Sequence, residues 1–329
     1  MIPENKKTIV KKALQTAFGV DSYEDIEEIT IGLSNALTFR IAVKNKTYLM
    51  KIARTDELSA PANYYEYMKA GSDAGIAPHV WYLSTEDKIS ITDFIEAKPF
   101  PIDKAKEIMP KLLDKLHKLP PFHKGVNYSD AMDGIVQRFF GAKFLSDNLS
   151  EEIMKNYIRI KEIYPCHSED LVSCHNDLKP ENYIFDGEKA WLVDWEAAFL
   201  NDRYLDLAVV GNFAVNNEDD ELEYLENYFG EAPNDYIRAR FFLMQQLLHI
   251  FYMSIFMLYS SKTVDINIEG ENVSFEDFHK RMWEGEIDLA NDENKLKYGI
   301  VHMNQFLANI KTERFEEALK VISKSSRGN

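Results

Sequence analysis

From residue 29 to residue 95 the hydrophobic side chains follow the two-residue period of β-strands. Residues 38–53 alternate hydrophobic and polar positions and are interrupted at Asn45-Lys46, which predicts a hairpin. Residues 79–94 predict a second hairpin around Glu86-Asp87, and residues 60–74 have the spacing of a helix. The predicted order is therefore strand, strand, strand, helix, strand, strand.

After residue 99 the hydrophobic positions recur every three or four residues, which predicts long helices. The clearest helical segments are residues 104–119, 132–145, 151–163, 219–229 and 235–259. Gly187 marks a turn between two short strand-like pieces, residues 182–185 and 190–193. We therefore predict an α+β protein with an N-terminal antiparallel sheet lobe, residues 1–97, which contains one main helix. A larger helical lobe, residues 98–329, follows it.

Residues 241–259 form an apolar segment about as long as a membrane span. Gln245, Gln246 and His249 lie near its middle, where polar groups would be costly in lipid. We therefore predict a buried helix and no membrane span. Residues 1–15 carry charges where a signal peptide would need an apolar run, so we expect an amphipathic first helix there.

The composition is that of a globular protein with a substantial core. The chain has 329 residues, of which 45% are hydrophobic, and a formal net charge of -16 from 54 acidic and 38 basic residues. This charge argues against nucleic acid or anionic membrane as a partner. The two cysteines are too few for a disulfide framework, so we expect a reducing, cytoplasmic location.

The most informative stretch runs from residue 171 to residue 196. It places His175, Asp177 and Asn182 in one loop and Asp194 at the end of the next apolar run. Phosphoryl transfer from ATP needs a carboxylate near the acceptor hydroxyl and oxygen ligands that hold magnesium on the phosphates. Asp177 fits the first role, and Asn182 and Asp194 fit the second.

Each of these residues also has a structural interpretation. Asp177, Asn182 and Asp194 could be ordinary turn formers, but their joint spacing favours catalysis and metal binding. His175 fits a hydrogen bond that holds the loop better than it fits a base. Glu196 lies on the same side of a predicted strand as Asp194, so it either assists the metal or is simply exposed.

Two further residues suit a nucleotide site. Lys51 ends a predicted strand, and Glu66 follows 15 residues later on the predicted helix. In kinases a strand lysine grips the phosphates and a helix glutamate orients it. The alternative is that both side chains are merely solvated. Between the first two strands, residues 32–36 form a candidate phosphate loop in which Gly32, Ser34 and Asn35 could donate hydrogen bonds, although the motif is weak.

Three motifs make the chain resemble the choline/ethanolamine kinase and aminoglycoside phosphotransferase superfamily, and within it bacterial choline kinase-like proteins. They are CHNDLKPEN at 174–182, LVDWE at 192–196 and NDRYLDLA at 201–208. The resemblance covers nearly the whole chain and implies a protein-kinase-like two-lobe fold. It also implies that ATP and magnesium are the cofactors.

By position, the resemblance implies that Asp177 orients or deprotonates the acceptor hydroxyl while Asn182 and Asp194 bind magnesium. Lys51 would contact the ATP phosphates and pair with Glu66. The remaining implied roles are adenine binding by the backbone at Asp93 and Ile95, bracing of the catalytic loop by Asp206, and covering of the phosphates by the loop from Gly32 to Ala36.

The acceptor is predicted to be a small molecule. Only 11 residues separate Asp194 from Asp206, too few for the segment on which a protein kinase holds a peptide. In choline kinases an aromatic box holds the quaternary ammonium, because ring faces attract cations. The candidate walls here are Tyr252, Phe256, Phe278 and Trp283, although aromatic residues at helical spacing also suit a core.

An acidic cluster, defined as Glu218, Asp219, Asp220, Glu221 and Glu223, fits a solvated helix start better than an amine-attracting rim. The leading hypothesis is an ATP- and magnesium-dependent kinase that phosphorylates a small cationic amino alcohol such as choline or ethanolamine. One alternative is an aminoglycoside or other antibiotic phosphotransferase. A catalytically silent nucleotide-binding protein is the alternative from another class.

Overall fold

The computed structural model describes residues 2–29, 36–53, 63–125, 127–264 and 274–325. They fall into two compact units. Unit 1 comprises Met1–Phe100, Lys118–Phe122 and Glu181–Ala198, and unit 2 comprises Pro101–His117, His123–Pro180 and Phe199–Asn329. Unit 1 is built on an antiparallel sheet and unit 2 is larger and mostly helical, which confirms the predicted α+β class.

The strands of the described residues, in chain order, are β1 (Asp25–Ile29), β2 (Ala36–Val43), β3 (Lys46–Ala53), β4 (Val80–Ser84), β5 (Ile89–Asp93), β6 (Leu171–Cys174), β7 (Tyr183–Phe185), β8 (Ala190–Leu192) and β9 (Phe199–Asp202). The first five form one sheet in unit 1, in the order β1-β2-β3-β5-β4. β6 pairs with β9 in unit 2, and β7 pairs with β8 in unit 1.

The described helices are α1 (Lys7–Phe18), α2 (Tyr64–Asp73), α3 (Ala105–His117), α4 (Tyr128–Gly141), α5 (Asp147–Lys161), α6 (Arg203–Ala214), α7 (Glu218–Phe229), α8 (Asp235–Ser260), α9 (Phe275–Trp283), α10 (Asp292–Asn309) and α11 (Glu313–Ser325). The predicted amphipathic first helix is α1. α4 begins earlier than predicted because the side chain of Asn127 caps it, accepting the backbone N–H of Ser129 at 3.1 Å.

In unit 1 the alternation of β2 and β3 sorts their side chains onto two faces of the sheet. Met50 and Ile52 are fully buried and belong to a core cluster that also contains Val10 and Leu14 of α1. Lys51 lies between them, so its side chain is directed to the other face. The hairpin turn consists of Lys44 and Asn45, one residue earlier than predicted, and both have positive φ.

The residues 181–198 belong with the sheet rather than with the helices that precede and follow them in sequence. The backbone N–H of Leu192 donates to the carbonyl oxygen of Ile76 at 2.7 Å, and the N–H of Lys98 donates to the carbonyl of Phe185 at 2.7 Å. These bonds attach the β7–β8 hairpin to unit 1. A division of the chain between residues 97 and 98 therefore does not describe how this hairpin packs.

The long apolar helix α8 lies in the core of unit 2, where it packs against α4, α6, α10 and α11. It is long and apolar enough to cross a membrane, yet 67% of its most apolar window is buried inside the protein. The polar residue Gln246 is 1% exposed and hydrogen-bonded, donating to the carbonyl of Phe242 at 3.0 Å and accepting from Asn309 at 3.0 Å. These partners explain how a core helix tolerates the polar groups.

Candidate active site

In unit 2 a buried carboxylate holds the backbone of the predicted catalytic loop. Asp206, in the first turn of α6, is 0% exposed. Its two oxygens accept the backbone N–H groups of His175 and Asn176, each at 2.8 Å. Hydrogen bonds to an ionised acceptor are stronger than neutral ones, so the chain is held firmly just before Asp177. His175 is itself fully buried, as a structural residue would be.

The residue before Asp177 has an uncommon backbone conformation. Asn176 has φ of 65°, in the left-handed region that asparagine tolerates better than most side chains. Its side-chain oxygen accepts a hydrogen bond from Asn201 at 2.8 Å. The side chain of Asp177 is 43% exposed, and the ammonium of Lys179 lies 3.4 Å from its carboxylate. Lys179 was not predicted from the sequence, although it lies in the 174–182 motif two residues after Asp177.

A second layer supports Asp206. The Nε2 atom of His117 lies 3.2 Å from its carboxylate, and Nδ1 of His117 lies 2.6 Å from the hydroxyl of Tyr228. The three side chains are all buried. His117, Cys174 and Asp206 are also close enough for a metal site, but Asp206 already accepts hydrogen bonds from the loop. We therefore assign this group to support of the loop.

In unit 1 the β7–β8 hairpin brings together two predicted metal ligands that are 12 residues apart in sequence. The carbonyl oxygen of Asn182 accepts the backbone N–H of Val193 at 2.9 Å, which continues the hairpin register beyond Tyr183 and Leu192. Asn182 therefore lies opposite the residue that precedes Asp194. Gly187, with φ of 107°, lies in the turn that closes the hairpin.

Asp194 and its neighbours concentrate charge at the end of this hairpin. Asp194 has φ of 64°, a left-handed conformation that turns the chain away from the strand direction. The pKa of Glu196 is raised above its usual value, first because partial burial disfavours the ionised form and then because the Asp194 carboxylate repels it. The Lys51 ammonium opposes this shift, so all three charges act on one another.

This donor set fits a divalent cation. Asp194 and Glu196 offer carboxylate oxygens, and Asn182 offers an amide oxygen, which are the ligands that magnesium prefers. Asn182 is 3% exposed. A bound cation would relieve the repulsion between the two carboxylates. This repulsion contributes, after burial, to the raised pKa of Glu196. The arrangement supports the metal-assisting interpretation of Glu196.

Helix α2 packs directly on this segment. A Cβ atom at Gly71 would lie 2.5 Å from the indole of Trp195, so only glycine permits the close approach. Glu66 lies in the first turn of α2 and is exposed. Tyr64, two residues earlier, is buried, and its pKa is raised by burial first and then by the carboxylates of Asp194 and Glu196. Pairing of Glu66 with Lys51 stays a prediction.

The predicted adenine contacts lie at the end of β5. The backbone N–H of Asp93 donates to the carbonyl of His79 at 2.9 Å, and its carbonyl accepts the Thr92 hydroxyl at 3.3 Å. A carbonyl oxygen accepts two hydrogen bonds, and adenine binding by the backbone at Asp93 and Ile95 stays a prediction. The predicted phosphate-loop residues Gly32, Ser34 and Asn35 lie outside the described residues.

The four predicted acceptor-site aromatics belong to one cluster in unit 2. Phe278 is part of its buried core, whereas Tyr252, Phe256 and Trp283 are partly buried against it. Tyr298, which the sequence analysis missed, connects them, with ring centroids 5.9 Å from Tyr252 and 4.9 Å from Phe256. Phe278 is 1% exposed and stacks on Tyr298 within the buried part of the cluster, and its role at the acceptor stays a prediction.

Two tyrosines of unit 2 connect this cluster electrostatically to Asp177. The pKa of Tyr252 is raised well above its usual value by burial first, and the Tyr298, Tyr128, Asp177 and Asp206 side chains add to the effect. The pKa of Tyr128, at the start of α4, is likewise raised by burial and then by Asp177 and Asp206. Tyr128 was missed because nothing in its local sequence distinguishes it from a helix-start residue.

Three buried histidines extend the cluster. The Nδ1 atoms of His249 and His302 lie 2.9 Å apart, and the His302 ring centroid is 4.9 Å from that of Tyr252. Burial lowers the pKa of His249 to about 3 and that of His279 to about 4, and it holds the pKa of His302 well below its usual value. All three are neutral near pH 7, so the histidine rings add no positive charge to the aromatic cluster.

The acidic cluster at the start of α7 differs from the predicted solvated helix start. Glu221 is 1% exposed and forms ion pairs with Arg238, at 3.0 Å, and with Arg314. Asp220 pairs with Lys106 at 2.5 Å. The basic partners come from α3, α8 and α11, which sequence spacing does not reveal. Much of the negative charge is therefore neutralised.

A family model for phosphotransferase enzymes matches residues 25–242 of the chain. The chain belongs to the phosphotransferase enzyme family. The match includes Lys51, Asp177, Asn182, Asp194 and Asp206, and it ends before the aromatic residues at the C-terminal half of α8. The protein is thus a phosphotransferase, which confirms the predicted class of enzyme.

Protein LicA of Haemophilus influenzae is 27% identical over 111 residues, which cover 33% of this chain and 31% of LicA. The aligned part therefore spans about a third of the curated relatives. A solved choline/ethanolamine kinase family protein of Mesorhizobium loti has a TM-score of 0.67 at 16% identity, covering 97% of this chain and 99% of that one.

A spectinomycin phosphotransferase, solved in complex with ADP and spectinomycin, has a TM-score of 0.56 at 16% identity and covers 96% of this chain and 98% of its own. The similarity to both solved structures shows the fold of the present chain. It is the kinase-like fold, with an antiparallel sheet in the N-terminal lobe and a larger helical C-terminal lobe.

Proposed function

We propose that the phosphotransferase moves the γ-phosphoryl group of ATP to the hydroxyl of a small cationic amino alcohol. The observation that carries the proposal is the partly exposed carboxylate of Asp177. It follows directly on the backbone that Asp206 holds, and it lies within electrostatic range of Tyr252 in the aromatic cluster. Such a carboxylate can accept the proton of an alcohol as it attacks phosphorus. A ring wall can hold a cation that has no hydrogen bonds to donate.

Small acceptors are supported by the chain between Asp194 and Asp206. It consists of a short 3-10 helix (Trp195–Ala197), β9 and the first turn of α6, and all of it is described. The interval consists of these short elements and the single residue Ala198 that joins the first two. No extended platform is left in it for a peptide substrate.

The roles of the remaining residues follow from their chemistry. Asn182, Asp194 and Glu196 hold magnesium, and Lys51 binds the phosphates beside them. Magnesium, when bound, neutralises the phosphate charge and stabilises the charge that develops during transfer. Lys179, 3.4 Å from the carboxylate of Asp177, offers a positive charge to the transferred group. Asp93 and Ile95 bind adenine through their backbone groups.

The charges around the aromatic cluster favour a cationic acceptor over a neutral one. Asp177 contributes negative charge near Tyr252, and the histidines behind it are uncharged at neutral pH. The relatives named for choline and ethanolamine share the fold and agree with this choice. Choline or an ethanolamine-like alcohol is the first candidate.

An antibiotic phosphotransferase is the second candidate, because the spectinomycin enzyme shares the fold. Its acceptor site would need free carboxylates to bind several amino groups. Glu221 and Asp220 are already paired with basic side chains, which disfavours the acidic cluster as such a site. The catalytically silent alternative lacks support, since the chain matches a family of enzymes.

The proposal is tested by a screen for ADP release. Purified protein with magnesium and ATP is given choline, ethanolamine, thiamine or one of several aminoglycosides, and phosphorylated products are identified by mass spectrometry. We expect choline or a related amino alcohol to be phosphorylated, with kcat reduced about 10²- to 10⁴-fold in Asp177→Asn. Glu188→Gln, in the β7–β8 turn, is the control. Turnover with an aminoglycoside alone would select the second candidate.

A further inference from the structure

Unit 2 contains a cavity of about 400 Å³ that the proposed chemistry does not use. Its walls come from the start of α4, the middle of α8 and the paired strands β6 and β9. The apolar side chains that line it include Tyr128, Met132, Leu171, Leu200, Met244 and Leu247. The volume lies in the range of about 300 to 1,000 Å³ that is typical of small-molecule pockets.

The cavity wall is continuous with the support of the catalytic loop. Asn201 lines the cavity and donates a hydrogen bond to the side chain of Asn176 at 2.8 Å, directly before Asp177. Tyr128 lines the cavity as well, and its phenol lies within the electrostatic range of Asp177. The cavity wall is therefore joined, through the Asn201–Asn176 hydrogen bond, to the residue that precedes Asp177.

Of the three charged residues at the wall, Lys161 and Asp202 have partners, and Lys124 is exposed to solvent. Lys161 pairs with Asp133 and also donates to the hydroxyl of Ser129 at 2.8 Å. Asp202 pairs with the buried guanidinium of Arg240 at 2.6 Å. The wall therefore offers mainly hydrocarbon and thioether surface, and methionine side chains adapt to groups of different shape.

We propose that this cavity receives an apolar substituent of the acceptor, so that the substrate is an amino alcohol that carries an alkyl or aromatic group. The inference rests on the proposed function and deepens it. A cavity of roughly 150 Å³ holds a benzene ring, so the present volume takes a substituent larger than one ring. Choline alone would leave it empty.

The first test varies the acceptor. A homologous series of N-alkyl amino alcohols, from methyl to octyl, is assayed with the whole protein, magnesium and ATP. We expect kcat/KM to rise about fourfold for each methylene that the cavity buries, until the cavity is full. If the parent alcohol is phosphorylated and chain length has no effect, or lowers kcat/KM, the cavity proposal is overturned while the proposed function stands.

The second test fills the cavity. Leu247→Trp, from the middle of α8, should abolish the gain with chain length and leave kcat/KM for the parent alcohol within about twofold. Ile158→Trp, at an exposed position of α5, is the matched control and should retain the gain. A retained gain in Leu247→Trp would contradict the proposal.

A third measurement does not depend on turnover or on a folded variant. Cys166 lines the cavity and is exposed, whereas Cys174 is buried and its pKa is raised well above the usual value, first by burial. Monobromobimane should therefore label Cys166 alone. The octyl compound should protect Cys166 almost completely at saturation, and the methyl compound should not.

The two proposals fail in different ways. Equal labelling of Cys166 with and without the octyl compound would overturn the cavity assignment. Protection without phosphorylation of any member of the series would retain the cavity as an apolar binding site and overturn the amino alcohol as acceptor. If Leu247→Trp does not fold, wild-type protein labelled with bimane at Cys166 is assayed in its place. In the labelled protein we expect kcat/KM not to rise with the length of the alkyl group.

Discussion

The carboxylate of Asp206 accepts the backbone N–H of Asn176 at 2.8 Å, at a residue whose φ is 65°. The second oxygen accepts the N–H of His175 at the same distance. An uncommon backbone conformation is thus held by two charge-assisted hydrogen bonds immediately before Asp177. The position of Asp177 depends on a side chain from a different helix, α6.

Asp206→Asn should lower both stability and turnover. The amide can accept at one atom only, so one buried backbone N–H loses its partner, and we expect the free energy of unfolding to fall by about 2 kcal/mol. Urea denaturation followed by circular dichroism measures this change. Asp219→Asn, at an exposed position of α7, is the control and should alter neither stability nor kcat. Equal effects of the two substitutions would contradict the bracing role.

Glu196 should make magnesium activation depend on pH. Its pKa is raised by partial burial and then by Asp194, so at a pH above that pKa the ionised carboxylate lowers the stability of the metal-free protein, and this cost disappears as the pH falls and the group is protonated. Magnesium binds only the ionised form. We therefore expect the magnesium concentration for half-maximal rate to increase as the pH is lowered from neutral, at pH values above the ordinary range of glutamate.

Glu196→Gln should remove this dependence while leaving a weaker, less pH-sensitive activation by magnesium. The rate is measured at several magnesium concentrations and pH values with saturating ATP. Glu188→Gln, at an exposed position in the same hairpin, serves as the control and should behave like the wild type. Identical pH profiles for wild type and Glu196→Gln would show that Glu196 is merely exposed.

Gly71→Ala should destabilise unit 1, because the added Cβ would lie 2.5 Å from the indole of the buried Trp195. Overpacking of this kind costs about 1 to 3 kcal/mol. The displacement would reach Asp194, so KM for magnesium-ATP should increase as well. In Gly134→Ala the new methyl group meets nothing within 4 Å on α4, so that variant should be slightly stabilised. Thermal unfolding of both variants tests the argument.

Tyr252→Ala should raise KM for a quaternary ammonium acceptor by about 2- to 30-fold with little change in KM for ATP, since a cation over a ring gains about 0.5 to 2 kcal/mol. Tyr252→Phe keeps the ring and should stay near the wild-type KM. Tyr259→Ala, 50% exposed at the end of α8, is the control. Equal KM values for Tyr252→Ala and wild type would place Tyr252 in the core alone.

The sequence by itself determined the local elements and the chemical residues of the catalytic loop. Alternation predicted both hairpins of the sheet, and the spacing of Asp177, Asn182 and Asp194 predicted phosphoryl transfer, because these signals lie within short stretches of chain. Residues whose role depends on distant partners could not be found in this way. Lys179 is an intermediate case. The sequence shows that it lies two residues after Asp177, but not that its ammonium lies close to the Asp177 carboxylate.

Tertiary structure alone decided which side chains surround these residues. It brought Tyr128 of α4 and Tyr252 of α8 within range of Asp177 and buried Phe278 under Tyr298, and it supplied the contacts by which Asp206 of α6 holds the loop, a role that the resemblance had implied. These relationships depend on how helices far apart in sequence pack against one another. Helical periodicity shows which face of a helix is apolar, but not which neighbour covers it.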